Sequence, residues 1–208
     1  MFVNNALKRV ADFHGHVCPE LAIGAKFCEF VQQLQTENTV AADRFSILAE
    51  NSTSALDAIQ ILLGVTVGNQ RLMVMDYGKH NYALYCRGTG QSWSFTMRAM
   101  TYGNEAGYQR LEEKIINNDA TLDDIIAFQR LIDERVRRIL SRAPRELFVL
   151  EPTEGTRQQP PESTSRYTTC TLCGQQVLAS RCITRRGEIL CLPCLQKKAP
   201  GCLYHGIQ

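Results

Sequence analysis

Two Cys-x-x-Cys pairs, Cys170-Thr-Leu-Cys173 and Cys191-Leu-Pro-Cys194, stand seventeen residues apart near the C-terminal end of this chain. A tetrahedral zinc ion needs four soft ligands converging at about 2.3 Å, and each such turn supplies two of them. The spacing therefore predicts a small zinc-binding module over residues 168–208, of the zinc-ribbon or treble-clef type. Val177–Ile183 and Glu188–Leu190, joined through Arg185-Arg186-Gly187, read as the hairpin between the knuckles, and Leu195–Lys198 as the start of a short helix. Redox dithiols are the alternative, but those motifs normally come singly and in a βα context. A segment this short with few large apolar side chains also needs a staple to fold at all.

The cysteine inventory points the same way. Six of the nine cysteines fall between Cys170 and Cys202, which suits metal binding in a reducing compartment better than a disulfide framework. Cys182 reads as a hairpin residue. Cys202 and His205 form a C-x-x-H pair that reads as a frayed tail, as a second half-site or as an alternative ligand pair. No stretch has the length of a membrane span, and the N-terminus lacks the basic-then-apolar pattern of a signal peptide, so the expectation is a soluble cytoplasmic protein.

Upstream, Glu151–Tyr167 holds three prolines and almost no aliphatic residue. It cannot bury enough surface to offset the entropy of ordering, and reads as a linker over 151–167. Residues 1–150 then form the main domain, whose 16 basic and 17 acidic side chains balance, whereas 168–208 carries five basic and one acidic. The basic tail leaves nucleic acid open as a partner, although no stacking pattern of interleaved aromatics accompanies it.

Within the main domain, Asn5–Phe13, Pro19–Gln35 and Ser54–Leu63 have helical spacing, the second with proline in its first turn and the third stopped by Gly64. Phe45–Ala49, Leu72–Asp76, Tyr82–Arg87 and Ser92–Met97 have the alternation of strands. Thr121–Arg142 is a long amphipathic helix with Leu122, Ile125, Ile126, Ile132, Val136, Ile139 and Leu140 on its apolar stripe, opened by a Thr121/Asp124 capping box and ended before Pro144. This order predicts an α+β fold with a mixed sheet covered by helices. Cys28 and Cys86 read as buried apolar residues, and Trp93, Phe95, Met97 and Met100 as core or dimer-interface side chains.

The chemistry in this domain gathers at Phe13-His14-Gly15-His16-Val17-Cys18-Pro19, which places two histidines and a cysteine just before a helix. A helix N-terminus stabilises a thiolate, and His16 and Cys18 at i and i+2 can reach one ion. A buried cysteine with capping histidines is the alternative. Asp57 is read as either orienting a ligand histidine or capping its own helix. Lys79 and His80 are either contacts for an anionic ligand or solvent-facing turn residues.

The run His14-Gly15-His16-Val17-Cys18-Pro19 followed by Leu21-Ala22-Ile23-Gly24 resembles the opening signature of the E-type subunit family of formylmethanofuran dehydrogenase. Asp57-Ala58-Ile59-Gln60, Gly64-Val65-Thr66-Val67-Gly68-Asn69 and Asp76-Tyr77-Gly78-Lys79-His80 continue the likeness in order, and the cysteine-rich tail resembles the zinc finger that many members carry. The resemblance implies a thioredoxin-like core with a mixed β-sheet flanked by helices, and a homodimer whose finger packs against the partner subunit. It also implies a second metal or redox-type pocket where the His-Gly-His-x-Cys turn meets the helix of Asp57 and the Gly-Lys-His turn. Many members carry cysteine where this chain has Ser54, and Cys and Lys where it has Val65 and Asn69. The core site residues on this reading are His14, His16, Cys18, Ser54, Asp57, Lys79 and His80.

Three functions follow as expectations. The first is a metal-binding accessory subunit of one-carbon metabolism that docks an enzyme partner through its zinc finger. In formylmethanofuran dehydrogenase the redox chemistry belongs to a molybdenum or tungsten cofactor on other subunits, so no stand-alone catalysis is assigned here and no catalytic residue is named. The second is a metal- or metabolite-responsive regulator whose finger contacts DNA or protein. The third is an enzyme with Cys18 as nucleophile and His16 as base.

Overall fold

The computed structural model describes residues 2–37, 39–40, 45–153 and 166–198. The chain divides into two compact units, Met1–Arg157 and Gln158–Gln208. The first opens with helices α1 (Phe2–His14) and α2 (Pro19–Thr36), then β1 (Phe45–Ala49), α3 (Ala55–Leu63) and β2 (Leu72–Val74). The strands β3 (Asn81–Cys86) and β4 (Ser92–Met97) follow, then α4 (Glu105–Ile116), α5 (Leu122–Ser141), a single turn α6 (Pro144–Leu147) and β5 (Phe148–Pro152).

These strands form one five-stranded sheet in the order β2-β1-β3-β4-β5. β1 and β2 are parallel, joined by the α3 crossover, and every other pair is antiparallel, so the sheet is mixed as expected. The alternation is read directly in β3 and β4, where Tyr82, Leu84, Cys86, Trp93 and Phe95 are buried and their neighbours less so. Helix α2 supplies the opposing face. Phe27 stacks on Tyr82 at 4.1 Å and meets Phe95 edge-on at 5.0 Å, while Phe30 meets Phe95 at 5.4 Å. Cys28 and Cys86 are both fully buried in this core.

Two features depart from the sequence expectation. The segment Phe148–Pro152 is an edge strand, paired through Phe148↔Met97 to Pro152↔Trp93, so Glu151 and Pro152 belong to the sheet rather than the linker. Proline is tolerated there because it ends an edge strand and leaves no ladder bond unmade. The apolar stripe of α5 also runs beyond the core. Val136 and Ile139 are buried, but Leu122, Ile125 and Ile126 are 73%, 49% and 43% exposed. Residues 154–165, with most of the expected linker, lie outside the described residues.

The second unit contains β6 (Tyr167–Thr169), β7 (Gln176–Leu178), a turn of 3-10 helix (Ala179–Arg181), β8 (Cys182–Arg185), β9 (Glu188–Cys191) and α7 (Leu192–Lys198). The expected strand over 177–183 is broken by that 3-10 turn. Val177 pairs back with Thr168 around the first knuckle, and only residues from Cys182 onward pair with β9. The β8–β9 turn is Arg186-Gly187, both with positive φ (51° and 80°), the conformation that suits a two-residue hairpin.

Candidate metal centres

In the first unit the site is built by a reversal of the chain between two helices. α1 ends at His14, Gly15 takes φ +97°, and the backbone re-enters a helix at Pro19. Cys18 is the N-cap of α2, extended at φ −130° and ψ 167°, and its sulfur accepts the Leu21 N–H at 3.4 Å. The sulfur thus stands at the N-terminus of α2, where it caps one of the helix's free N–H groups. Val10, Leu21 and Ala58 form a small buried cluster against which Cys18 packs.

Helix α3 brings the remaining groups, and Gly24 makes its approach possible. A Cβ on Gly24 would lie 2.6 Å from the Cα of Ala55, so only glycine lets the first turn of α3 lie on α2 here. Ser54, at the N-cap position of α3, makes no side-chain capping bond. Its hydroxyl stands 3.1 Å from the Cys18 sulfur instead. One turn further on, Asp57 Oδ2 is 2.8 Å from His14 Nδ1. With the imidazole donating from Nδ1 to this carboxylate, the Nε2 lone pair faces the Cys18 sulfur, 4.0 Å away. The His16 ring lies 4.7 Å from that of His14, tilted by 39°.

One ligand atom from each of His14, His16 and Cys18 lies within 4.8 Å of the others. Tetrahedral coordination at about 2.0–2.3 Å separates ligands by about 3.3–3.8 Å, so the three need to close by under about 1.5 Å on an ion. The donor set, two imidazoles and a thiolate, suits a borderline-soft divalent ion, and it leaves at least one position open. His16 is exposed, so the open side is reachable from solvent.

Lys79 and His80 stand outside this group of converging ligand atoms. Lys79 is exposed, its backbone held by Glu50 and the buried Asn51 at 2.9 and 3.0 Å. His80 Nδ1 is 3.2 Å from the Tyr82 hydroxyl. Burial pushes the His80 imidazole below its usual range, against the opposing pull of Glu20. Val65 is buried in the core, and Asn69 hydrogen-bonds Thr66 and Gly64 within its own turn.

In the second unit the sulfurs of Cys170, Cys173, Cys191 and Cys194 converge within 4.8 Å. Cys170 and Cys173 flank the turn into β7, where Cys170 N–H donates to Gln175 O at 2.9 Å and Gly174 N–H to Cys170 O at 2.9 Å. Cys191 ends β9 and Cys194 lies in α7. The Cys191 N–H points at the Cys170 sulfur, 3.4 Å away, and with further backbone N–H groups of the knuckle holds that thiol down at about 6. Cys194 is pushed up to about 12, first by its hydrogen bond with the Cys191 sulfur and then by burial. Four thiols packed this closely fit a metal tetrad. Cys202 and His205 lie outside the described residues.

Residues 13–149 match the family model described as FmdE, molybdenum formylmethanofuran dehydrogenase operon, which covers more than half of the sequence. The chain belongs to the FmdE family. A crystal structure of a tungsten formylmethanofuran dehydrogenase FmdE-like protein from Syntrophus aciditrophicus superposes with a TM-score of 0.58 at 21% identity, covering 95% of this chain and 94% of that one. That likeness extends the shared fold to both units. A probable S-adenosyl-L-methionine-binding protein of Archaeoglobus fulgidus is 26% identical over 197 residues, 90% of this chain but 52% of the relative. This FmdE chain therefore spans about half the length of that curated relative.

Sequence reasoning named every member of the core group but not their pairing. It left open whether Asp57 orients a histidine or caps its own helix, and Asp57 stands against His14. The close packing at Gly24 that brings Asp57 and Ser54 to the turn leaves only a faint trace in the sequence, a lone glycine inside an apolar helix.

Proposed function

We propose that this FmdE-family protein is a metal-binding accessory protein with two centres. A core ion is held by His14, His16 and Cys18, and a structural zinc by Cys170, Cys173, Cys191 and Cys194. The observation that carries this reading is the His14–Asp57 contact at 2.8 Å, because a carboxylate behind a histidine fixes the tautomer and raises the basicity of the nitrogen facing the ion. The open position gives the core centre room for a water or a small ligand. S-adenosyl-L-methionine, named for the Archaeoglobus relative, is the first molecule to try there.

The finger's role in this proposal is to dock a partner, either a subunit of an enzyme or a second copy of the chain with fingers exchanged. Binding of nucleic acid is the weaker second reading. Of the five basic residues in the tail, Lys198 is already paired with Glu188 at 2.7 Å, which reduces the charge free for phosphate.

The test is elemental analysis of the full chain purified without chelators or a histidine tag. Two ions per chain are expected, falling to one in a His16→Ala/Cys18→Ala variant, with the zinc retained. A wild-type protein holding a single ion that survives this double substitution would remove the core centre and leave a finger on a metal-free domain.

A further inference from the structure

A fifth thiol stands beside the cysteine tetrad, and the hairpin geometry fixes where. The Arg186-Gly187 turn sets the register Arg185↔Glu188, Thr184↔Ile189, Ile183↔Leu190 and Cys182↔Cys191. On β9, the Ile189 carbonyl accepts from the Thr171 N–H at 2.8 Å and the Cys191 N–H points at the Cys170 sulfur. Both groups face away from β8. In an antiparallel ladder a residue whose backbone polar groups point outward belongs to a non-hydrogen-bonded pair, the closer kind, with Cα atoms about 4.5 Å apart and side chains on one face. Cys182 and Cys191 form such a pair. That spacing falls within the window for a disulfide, about 4.4–6.8 Å between Cα atoms, without movement of the strands.

The surroundings agree with this placement. Cys182 stands directly opposite Cys191, a member of the tetrad, across the β8–β9 ladder. Cys182 is half-buried, whereas Cys191 is buried. The Cys182 thiol is not needed to complete a tetrahedron that Cys170, Cys173, Cys191 and Cys194 already fill.

We propose that Cys182 is the resolving thiol of the metal centre: a peroxide oxidises the Cys191 sulfur, Cys182 captures it as a Cys182–Cys191 disulfide, and the ion, reduced to three ligands, is released. In the first step the Cys191 thiolate attacks one peroxide oxygen, the O–O bond breaks, and Cys191 becomes a sulfenic acid as hydroxide leaves. In the second, the Cys182 sulfur attacks the sulfenic sulfur, the S–S bond forms and the S–O bond breaks. The thiol proton leaves with that oxygen as water. Two cysteines lose two electrons and one peroxide gains them. Dithiol reductants reverse the step, which separates it from further oxidation to sulfinic acid.

This inference rests on the tetrad holding zinc, and the experiment reads the two separately. The zinc content of the full chain carrying His16→Ala/Cys18→Ala, the background used throughout so that no core ion contributes, is measured first, which tests the tetrad alone. Hydrogen peroxide is then added in steps while released zinc is followed with a chromogenic chelator, and trypsin digests are mapped under non-reducing conditions. Cleavage after Arg181, Arg185, Arg186 and Lys197 places Cys182 in residues 182–185 and Cys191 in residues 187–197.

The expected result is a cross-link between these two peptides, assigned to Cys191 by fragmentation. It should form in step with zinc release and be reversed by dithiothreitol plus zinc. A Cys182→Ser protein that binds one zinc before oxidation should need several-fold more peroxide to lose it. A dominant Cys191–Cys194 or Cys170–Cys173 bond in the wild type would overturn the proposal, as would equal zinc loss in Cys182→Ser. The peptide map decides even if that variant folds poorly.

Discussion

At the scale of single residues, Asp57 and Ser54 differ in how they bear on Cys18 and His14. Asp57 acts through His14: removing its charge while keeping its shape leaves the imidazole free to turn and to change tautomer. Asp57→Asn is expected to weaken cobalt binding at the core by about 10–100-fold, with secondary structure unchanged by circular dichroism. Equal affinity in the variant would return Asp57 to the role of a helix-end acid. Ser54 is a poor donor sitting 3.1 Å from a good one. Ser54→Cys would place a second sulfur about as far from Cys18 as two thiolates on one ion stand, roughly 3.7 Å. The variant should bind cobalt more tightly and gain thiolate charge-transfer absorption, because an open three-ligand centre becomes a closed four-ligand one. An unchanged spectrum would show that the hydroxyl faces the thiol without facing the ion.

Among the elements, α5 shows where an apolar pattern stops being a guide to burial. Its capping box is formed as the sequence implies, with Thr121 Oγ1 accepting the Asp124 N–H at 3.2 Å and Asp124 Oδ2 accepting the Thr121 N–H at 3.0 Å. Its stripe, however, meets the core only over its C-terminal half. Ile139→Ala should cost about 2–5 kcal/mol in urea unfolding, whereas Leu122→Ser should stay within about 0.5 kcal/mol. A comparable loss at Leu122 would mean that its face is covered in solution. Periodicity reports which residues share a face and says nothing of how far the neighbour underneath extends, so the helix was legible and its overhang was not. The same limit hid β5. Phe148–Pro152 is a short run closed by proline, and its pairing partner lies more than fifty residues back, on β4. The two groups of candidate ligands were visible in the sequence because their members are local, within four residues in each Cys-x-x-Cys pair and within five in His14–Cys18. Which histidine Asp57 meets was not, because the His14–Asp57 contact depends on the approach of two helices at Gly24.

For the whole molecule, the two units differ in what holds them together. The first has a continuous core of aromatic and aliphatic side chains between α2 and the sheet. In the second, the buried cluster consists of Cys170, Leu190, Cys191, Cys194 and Leu195, with Val177 and Ile183 partly buried against it. Among the described residues, three of those five are candidate ligands, so removing an ion leaves Leu190 and Leu195, with Val177 and Ile183 partly buried, to hold two strand pairings and a seven-residue helix. A module of this size does not repay its chain entropy on so little apolar area, and its folding free energy is then the binding free energy of the ion. Chelation should accordingly raise amide hydrogen exchange across residues 167–198 to the rate of an unstructured chain while β1, β3 and α2 keep their protection. Restoring zinc should bring the tail back. Protection that persisted in the tail after the metal was shown to be gone would mean that Leu190, Leu195 and the hairpins suffice, and that the cysteines serve chemistry rather than stability.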